Sequence, residues 1–338
     1  MELYCGIDLH SRNGVYFVTS EQNKTICKRR LPNRLPEVLK TLEPFRNDLK
    51  VVAVESTYNW YWLVDGLVEN GYPVSLVNPS AVKQYSGLKE ANDWTDAGFL
   101  AHLARLGCLP TGYIYPKEDR PVRDLLRRRM LFVKHRTALI LSVQNMICRQ
   151  SAKSIGHLDL MQMDQEELLG LLDREESLVF VAQQQLQTID LLSRRIVLFD
   201  KRALSQARAK PSYRLLLTMP GVGEILGLTI LYETGDIHRF AKASHYTSYC
   251  RAVKATRTSN GKKKGYNNRK NGNRYLAWAF IEAVHHAIRC CQPAKAFYER
   301  KRAKVNGALA SKALASKWSK AAYYIMTQQK PFDLRKVF

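Results

Sequence analysis

The sequence predicts an α/β fold in its first third, a sheet with an antiparallel flank, followed by two long helices and a basic, mainly helical C-terminal region. Three observations carry that expectation. Over residues 1–110 short β-type runs alternate with runs of helical period; between 126 and 199 apolar residues recur on a seven-residue spacing; and from Pro211 onward two apolar helical patterns enclose a pair of glycines.

Taken in order, "LYCGIDLH", "GVYFVTS" and "KTICKRRL" read as three successive strands joined by short polar turns. "LPEVLKTLEPF" reads as a helix, "KVVAVEST" as a strand buried on both faces, "NWYWLVDGLVENG" as a helix ending at Gly71, and "YPVSLVNP" as a further strand. "TDAGFLAHLARLG" sets apolar residues at 97, 100, 101, 103 and 104, a helical stripe closed by Gly107. In the middle region Leu126, Met130, Val133, Ile140 and Ile147, then Leu178, Ala182, Ile189, Leu192, Ile196 and Phe199, follow heptad logic and predict two long coiled-coil-like helices. An intramolecular hairpin and a dimer stalk satisfy that pattern equally. The intervening "SAKSIGHLDLMQMDQEELLGLLD" reads as short helices and loops.

The C-terminal region opens with "LLLTMPGVGEILGLTILYETGDIHRF", where Gly221 and Gly223 lie between helical patterns. A helix-hairpin-helix presents backbone N–H groups to phosphate in this way, and a tight helix turn without a ligand has the same pattern. Between 251 and 274 stand nine Lys or Arg with no acid: Arg251, Lys254, Arg257, Lys262, Lys263, Lys264, Arg269, Lys270 and Arg274. Interrupted by glycine and asparagine, they suit a closely approached phosphate backbone better than a solvated basic loop. The expected domains are 1–110, 111–210 and 211–338.

The 338 residues carry 46% apolar content, enough for packed cores, and 53 Lys plus Arg against 30 Asp plus Glu give a formal charge of +23. A surface so one-sided calls for a polyanion, with nucleic acid first. An acidic membrane surface would call for a basic amphipathic anchor or a lipidation signal, and neither is evident; no apolar run approaches the ~20 residues of a bilayer span. A soluble, cytoplasmic protein is expected. Seven cysteines without a CxxC pair suit reduced thiols, and Cys290, Cys291, His285 and His286 lack a second ligand cluster at zinc-finger spacing, so helix packing is the better reading.

Chemistry is concentrated in the acids. The first strand ends at Asp8 of "GIDLH", the buried strand "VVAVEST" ends at Glu55, and "EANDWTDAGFLAHL" offers Asp93 and Asp96 three apart on one helical face. If the first strand lies beside the strand after the first helix, Asp8 and Glu55 are neighbours. Four converging carboxylates repel unless divalent cations lie between them. All-oxygen ligands favour Mg²⁺ or Mn²⁺, and a pair of ions about 4 Å apart clamps the attacking and leaving oxygens of a phosphodiester. Each acid alone also fits a turn or cap, Asp93 as the cap of a helix starting near Thr95.

That order of acids matches the ribonuclease-H-like nucleases of the Holliday-junction resolvase type. The whole chain resembles the DEDD transposases of bacterial insertion sequences, which are relatives of the Piv-type invertases and are themselves described as bridge-RNA-guided recombinases. The matching pieces are "GIDLH", "AVEST" and "DWTDA", then "MPGVGEILGLTIL…GDIHRF" and "TSNGKKKG…NGNRYLAWA". The resemblance implies a ribonuclease-H-like (RuvC-like) first domain, a coiled-coil insert and a mainly α C-terminal domain with a helix-hairpin-helix-like element. It makes Asp8, Glu55, Asp93 and Asp96 the ligands of Mg²⁺ or Mn²⁺, two ions in all, and Ser259 the nucleophile that holds DNA as a phosphoserine. Donor and target DNA, a guide (bridge) RNA and a homo-oligomer, dimer or tetramer, are the implied partners; nucleoid association during activity is the implied location. Asn260 separates Ser259 from the glycine that commonly follows directly, which keeps Thr258 as a rival nucleophile. Basic Arg257, Lys262, Lys263 and Lys264 suit a developing phosphorane charge, and Gly261 suits close approach.

Three other readings compete. A junction resolvase or nuclease would hydrolyse with water and need no serine. A sugar-kinase-like or actin-like ATPase needs small residues directly after the first acid, which "GIDLHSRNG" lacks. For a non-catalytic nucleic-acid binder the basic segment suffices, but the acids would repel phosphate.

Overall fold

The computed structural model describes residues 1–82, 92–173, 175–207, 210–253, 256–266 and 271–338, with the side chains of 165, 207, 263 and 266 outside that description. Lys254, Arg269 and Lys270 therefore lie outside the described residues, as does the side chain of Lys263. The chain forms two compact units, Met1–Lys117 and Glu118–Phe338.

The first unit is a five-stranded sheet covered by helices on both faces. Its strands are β1 (Leu3–Leu9), β2 (Asn13–Ser20), β3 (Thr25–Pro32), β4 (Leu49–Glu55) and β5 (Val74–Val77), in the order β3-β2-β1-β4-β5. β1 runs antiparallel to β2 and parallel to β4, and β4 runs parallel to β5. The antiparallel flank follows from the short turns joining β1 to β2 and β2 to β3. The parallel half needs a helical crossover, supplied by α1 (Leu35–Leu42) before β4 and α2 (Tyr61–Glu69) before β5. Leu3, Cys5, Ile7 and Leu9 point to one face and bury Val38, Leu42, Leu63, Val64 and Leu67 of those two helices. The short α3 (Pro79–Val82) follows β5. On the other face α4 (Asp93–Arg105) packs Leu100 and Ala104 against Ala53 and Val77.

Gly6 sets how closely α4 meets the sheet. A Cβ on Gly6 would lie 2.0 Å from the Ala97 carbonyl oxygen and 2.6 Å from the Ala101 nitrogen, so the helix backbone rests directly on β1. Alanines at 97 and 101, both fully buried, complete that contact. This pins the first turn of α4 over the C-terminal end of β1.

Among its described residues the second unit is helical apart from one two-stranded ribbon. α5 (Arg120–Ser151) and α8 (Glu176–Ala207), 32 residues each, pack along one another within the chain. The heptad positions Leu126, Met130, Ile140 and Ile147 are buried on α5, and Ala182, Ile189 and Ile196 on α8; Val133, Leu178, Leu192 and Phe199 are only partly covered. Between them α6 (His157–Gln162) and α7 (Gln165–Leu171) close one end of the pair with Leu160, Leu168 and Leu171. α9 (Pro211–Leu216), α10 (Glu224–Thr234), α11 (Ala243–Tyr249), α12 (Arg274–Cys290), α13 (Gln292–Arg302) and α14 (Gly307–Gln328) build a second core around buried Leu228, Phe280 and Trp318. Cys291 is buried in that core and the His285 ring lies 3.2 Å from Ser311 Oγ. Among the described residues no helix is long and apolar enough to cross a membrane.

A mixed α/β N-terminal unit with a central sheet, followed by a helical C-terminal region, is consistent with a ribonuclease-H-like fold at the N-terminus.

Candidate metal site and basic hairpin

The three segments that carry the predicted acids converge at one end of the sheet. Ile7 pairs with Val54, which leaves Asp8 and Glu55 as the next residues on neighbouring parallel strands. By the pleat, Gly6, Asp8 and His10 share the face on which α4 lies. Asp93 and Asp96 occupy the first turn of that helix. Asn92, not Asp93, is the helix cap: its side chain accepts from the Trp94 and Thr95 amides while Thr95 reciprocates. The capping alternative for Asp93 is thus taken by its neighbour.

Burial pushes the Asp8 carboxyl above the ordinary carboxylate range, and the charges of Asp96 and Asp93 add to the shift. Glu55 is raised for the same reasons, by burial first and then by Asp8 and Asp96. Asp93 behaves oppositely. Arg30 Nη2 donates to its Oδ2 at 2.7 Å and holds the carboxyl below its ordinary range.

One participant is absent from the sequence-based set. His10 Nε2 lies 3.3 Å from Asp8 Oδ2 and 3.3 Å from Asp93 Oδ2, yet its alignment gives it a hydrogen bond to neither. Asp8, His10 and Asp93 place their ligand atoms within 4.8 Å of one another. The His10 backbone is fixed from two sides, since the Asn33 and Asn59 side chains both donate to its carbonyl, at 3.0 and 2.9 Å. The signal was available: a residue two beyond Asp8 lies on the same side of an extended chain.

The donor set fits a hard divalent cation. Carboxyls whose ionisation is opposed by burial and by neighbouring acids, with His10 Nε2 3.3 Å from two of the acids and hydrogen-bonded to neither, are relieved by positive charge at that point.

The basic segment of the second unit contains a β-hairpin, β6 (Thr256–Ser259) with β7 (Lys262–Tyr266). Ser259 pairs with Lys262, so Asn260 and Gly261 form a two-residue turn, with φ of 49° and 70°. A turn with both central φ positive matches the strand twist and favours Asn-Gly, which accounts for the asparagine beside the serine. Ser259, Thr258, Arg257, Lys262 and Lys264 are all exposed. Arg251 and Arg274 have structural partners: Arg251 donates to the Gly272 carbonyl at 2.8–3.0 Å, and Arg274 donates to the Tyr275 hydroxyl at 2.8 Å.

The two glycines of "MPGVG" part ways. A Cβ on Gly221 would lie 2.1 Å from the Ala283 carbonyl oxygen, so this residue serves close packing against α12. Gly223 is the N-cap of α10 and faces open space, with Glu224 next to it in the first turn.

Comparison with known proteins adds the lineage. Residues 5–151 match the family described as a DEDD transposase of the IS110 type, and residues 213–299 match the family described as "Transposase IS116/IS110/IS902 family". The chain is also similar to the transposase for insertion sequence element IS1111A of Coxiella burnetii (strain RSA 493 / Nine Mile phase I). The two are 24% identical over 293 residues, 84% of this chain and 74% of that one. With acids of the DEDD order gathered at the end of the sheet and both family segments present in sequence order, the chain belongs to the IS110-family DEDD transposases, which act in DNA recombination and transposition of insertion sequences.

Proposed function

We propose that this transposase breaks and rejoins DNA strands with Asp8, Glu55, Asp93 and Asp96 holding Mg²⁺ or Mn²⁺, two ions in all, and with Ser259 as the nucleophile. Divalent-metal use is implied by the family. The observation that carries the reading is the convergence of acids from β1, β4 and α4, where burial and neighbouring carboxylates oppose the ionisation of Asp8 and Glu55. Bound there, the ions would supply positive charge to the attacking and leaving oxygens of a phosphodiester. The remaining work belongs to the chain. A bound cation would favour the ionised forms of Asp8 and Glu55, and Arg30 holds the Asp93 carboxyl below its ordinary range.

Ser259 Oγ forms a bond to phosphorus as the bond to a deoxyribose oxygen breaks, and the hydroxyl proton ends on that departing oxygen. Attack of another strand's hydroxyl reverses the step and frees the serine. Exposed Arg257, Lys262 and Lys264 lie on the same hairpin and offset the charge on phosphate. A guide RNA selecting target by base pairing, a homo-oligomer, and the helix-hairpin-helix-like role of Gly223 complete the proposal. The division into 1–110, 111–210 and 211–338 describes its functional parts.

Denaturing electrophoresis tests this. Wild-type protein with Mg²⁺ or Mn²⁺ and element-end DNA should give a covalent protein–DNA adduct. Ser259→Ala and Asp8→Asn should abolish it, and Thr258→Ala should not. Metal-dependent cleavage without any adduct would point to hydrolysis by water and sink the serine assignment.

A further inference from the structure

Beside the acids lies a cavity of about 460 Å³ that the metal site does not use, walled by β2, β3 and α4. Arg30 joins the two: its guanidinium contacts Asp93 at 2.7 Å and lies 5.6 Å from the Trp94 ring. Lys28, two residues back on the same face of the edge strand, stands over that ring at 4.7 Å. Phe17, Phe99 and His102 continue the wall toward Asn23. From Trp94 to His102 the helix advances about 12 Å, several times the ~3.4 Å rise of one nucleotide step.

Packing does not account for Trp94. The buried stripe of α4 consists of Ala97, Leu100, Ala101, Leu103 and Ala104, and the indole lies off it, half-exposed. An aromatic ring with a lysine over its face and an arginine beside it, in a concave groove that reaches Asn92 at the start of α4, suits the flat face of an unstacked base and the phosphates flanking it. Duplex DNA cannot offer a base face, whereas a strand opened for cleavage can.

We infer that the Trp94 groove holds the unpaired DNA nucleotides immediately flanking the scissile phosphate, with a base stacked on the indole and Lys28 and Arg30 on the adjoining phosphates. The inference rests on the acids being the cleavage site. In this arrangement Arg30 exchanges Asp93 for phosphate when the strand and ions arrive. Lys28 moves from the ring face to the backbone.

Full-length protein in EDTA, bound to single-stranded DNA spanning an element end and carrying 5-iododeoxyuridine at successive positions, tests it by photocrosslinking. A crosslink mapped to Trp94 from positions next to the scissile phosphate is expected. Trp94→Ala should weaken single-strand binding about 5-fold or more, with duplex binding unchanged, and Trp94→Phe should restore most of it. Lys28→Ala, an exposed change that leaves the fold alone, should reduce the salt slope of single-strand binding by about 0.7. Absence of a Trp94 crosslink together with unchanged affinity in both variants overturns the inference. A Trp94 dependence that appears with RNA of the same sequence and not with DNA overturns it too, assigning the groove to a guide strand. Asp8→Asn separates the two readings: it should stop cleavage and leave the crosslink. If Asp8→Asn still cleaves, the acid assignment fails while the crosslink result stands on its own.

Discussion

At the scale of single residues, the acid cluster works against the fold that builds it. Asp8 and Glu55 titrate above their ordinary values in the folded chain, so ionising them opposes folding. The stability penalty is absent below the unfolded carboxylate value, about 4, and sets in as pH rises through the raised folded values. Asp8→Asn should therefore raise the melting temperature at pH 7 in EDTA by a few degrees, and under the proposed metal assignment Mg²⁺ or Mn²⁺ should stabilise wild type but not this variant. Calorimetry with and without chelator reads both effects; an Asn variant less stable than wild type in EDTA would contradict them. The places of the four acids, near two strand ends and in the first turn of a helix, were legible from sequence because strand ends and an i,i+3 pair are local patterns. His10 could have been added from its place two residues beyond Asp8, whereas Arg30 could not, since it acquires meaning only when β3 and the start of α4 meet, a long-range event that spacing along one element does not encode.

At the scale of elements, two junctions hold the functional parts in place. Gly6→Ala drives a methyl into the backbone of α4, and the helix must lift from β1. Overpacking of this kind costs about 1–3 kcal/mol, and because Asp93 and Asp96 ride on the same helix, cleavage should fall further than stability does. Glu233 is the other junction. It is 1% exposed on α10, salt-bridged to Arg123 and Arg127 of α5, and accepts from Asn273 Nδ2, the N-cap of α12, at 2.7 Å. Burial favours its neutral form, but the two guanidiniums and the amide prevail and hold the carboxyl below its ordinary value. Its contribution is fully present above the unfolded value near 4.5 and is lost as pH falls through the lower folded value. Removing it as Glu233→Ala takes a carboxylate from buried Arg123 and from Arg127 and should cost about 3–5 kcal/mol at pH 7, with a smaller deficit against wild type near pH 3, in denaturant titrations. The strands and helices of the first unit could be read in order from sequence, and the long helices from their heptads. The β6–β7 ribbon was hidden in a run of cations, although "SNGK" holds the Asn-Gly pair that a tight hairpin requires. Charge density drew the reading toward a loop, and the turn chemistry was the better guide.

At the scale of the whole molecule, the formal charge of +23 is unevenly divided. Residues 1–117 carry 13 Lys or Arg against 12 Asp or Glu, and residues 118–338 carry 40 against 18. The unit that gathers the acids is close to neutral, which lets carboxylates bind cations without the whole surface repelling DNA. The helical unit supplies the long-range attraction. Duplex affinity should therefore fall steeply with salt, the logarithm of the binding constant declining by about 0.9 per phosphate contact neutralised. The hairpin cations test where those contacts lie. Replacing exposed Lys262 and Lys264 together with alanine should flatten that slope by about 2, equally for specific and unrelated duplexes, because phosphate contacts carry no sequence information. The same titration on Lys28→Ala should leave the duplex slope as in wild type, since that lysine lines the groove inferred to take an opened strand. If instead the duplex slope is unmoved by the hairpin pair and falls with Lys28, the division of labour between a neutral chemical unit and a basic gripping unit is wrong.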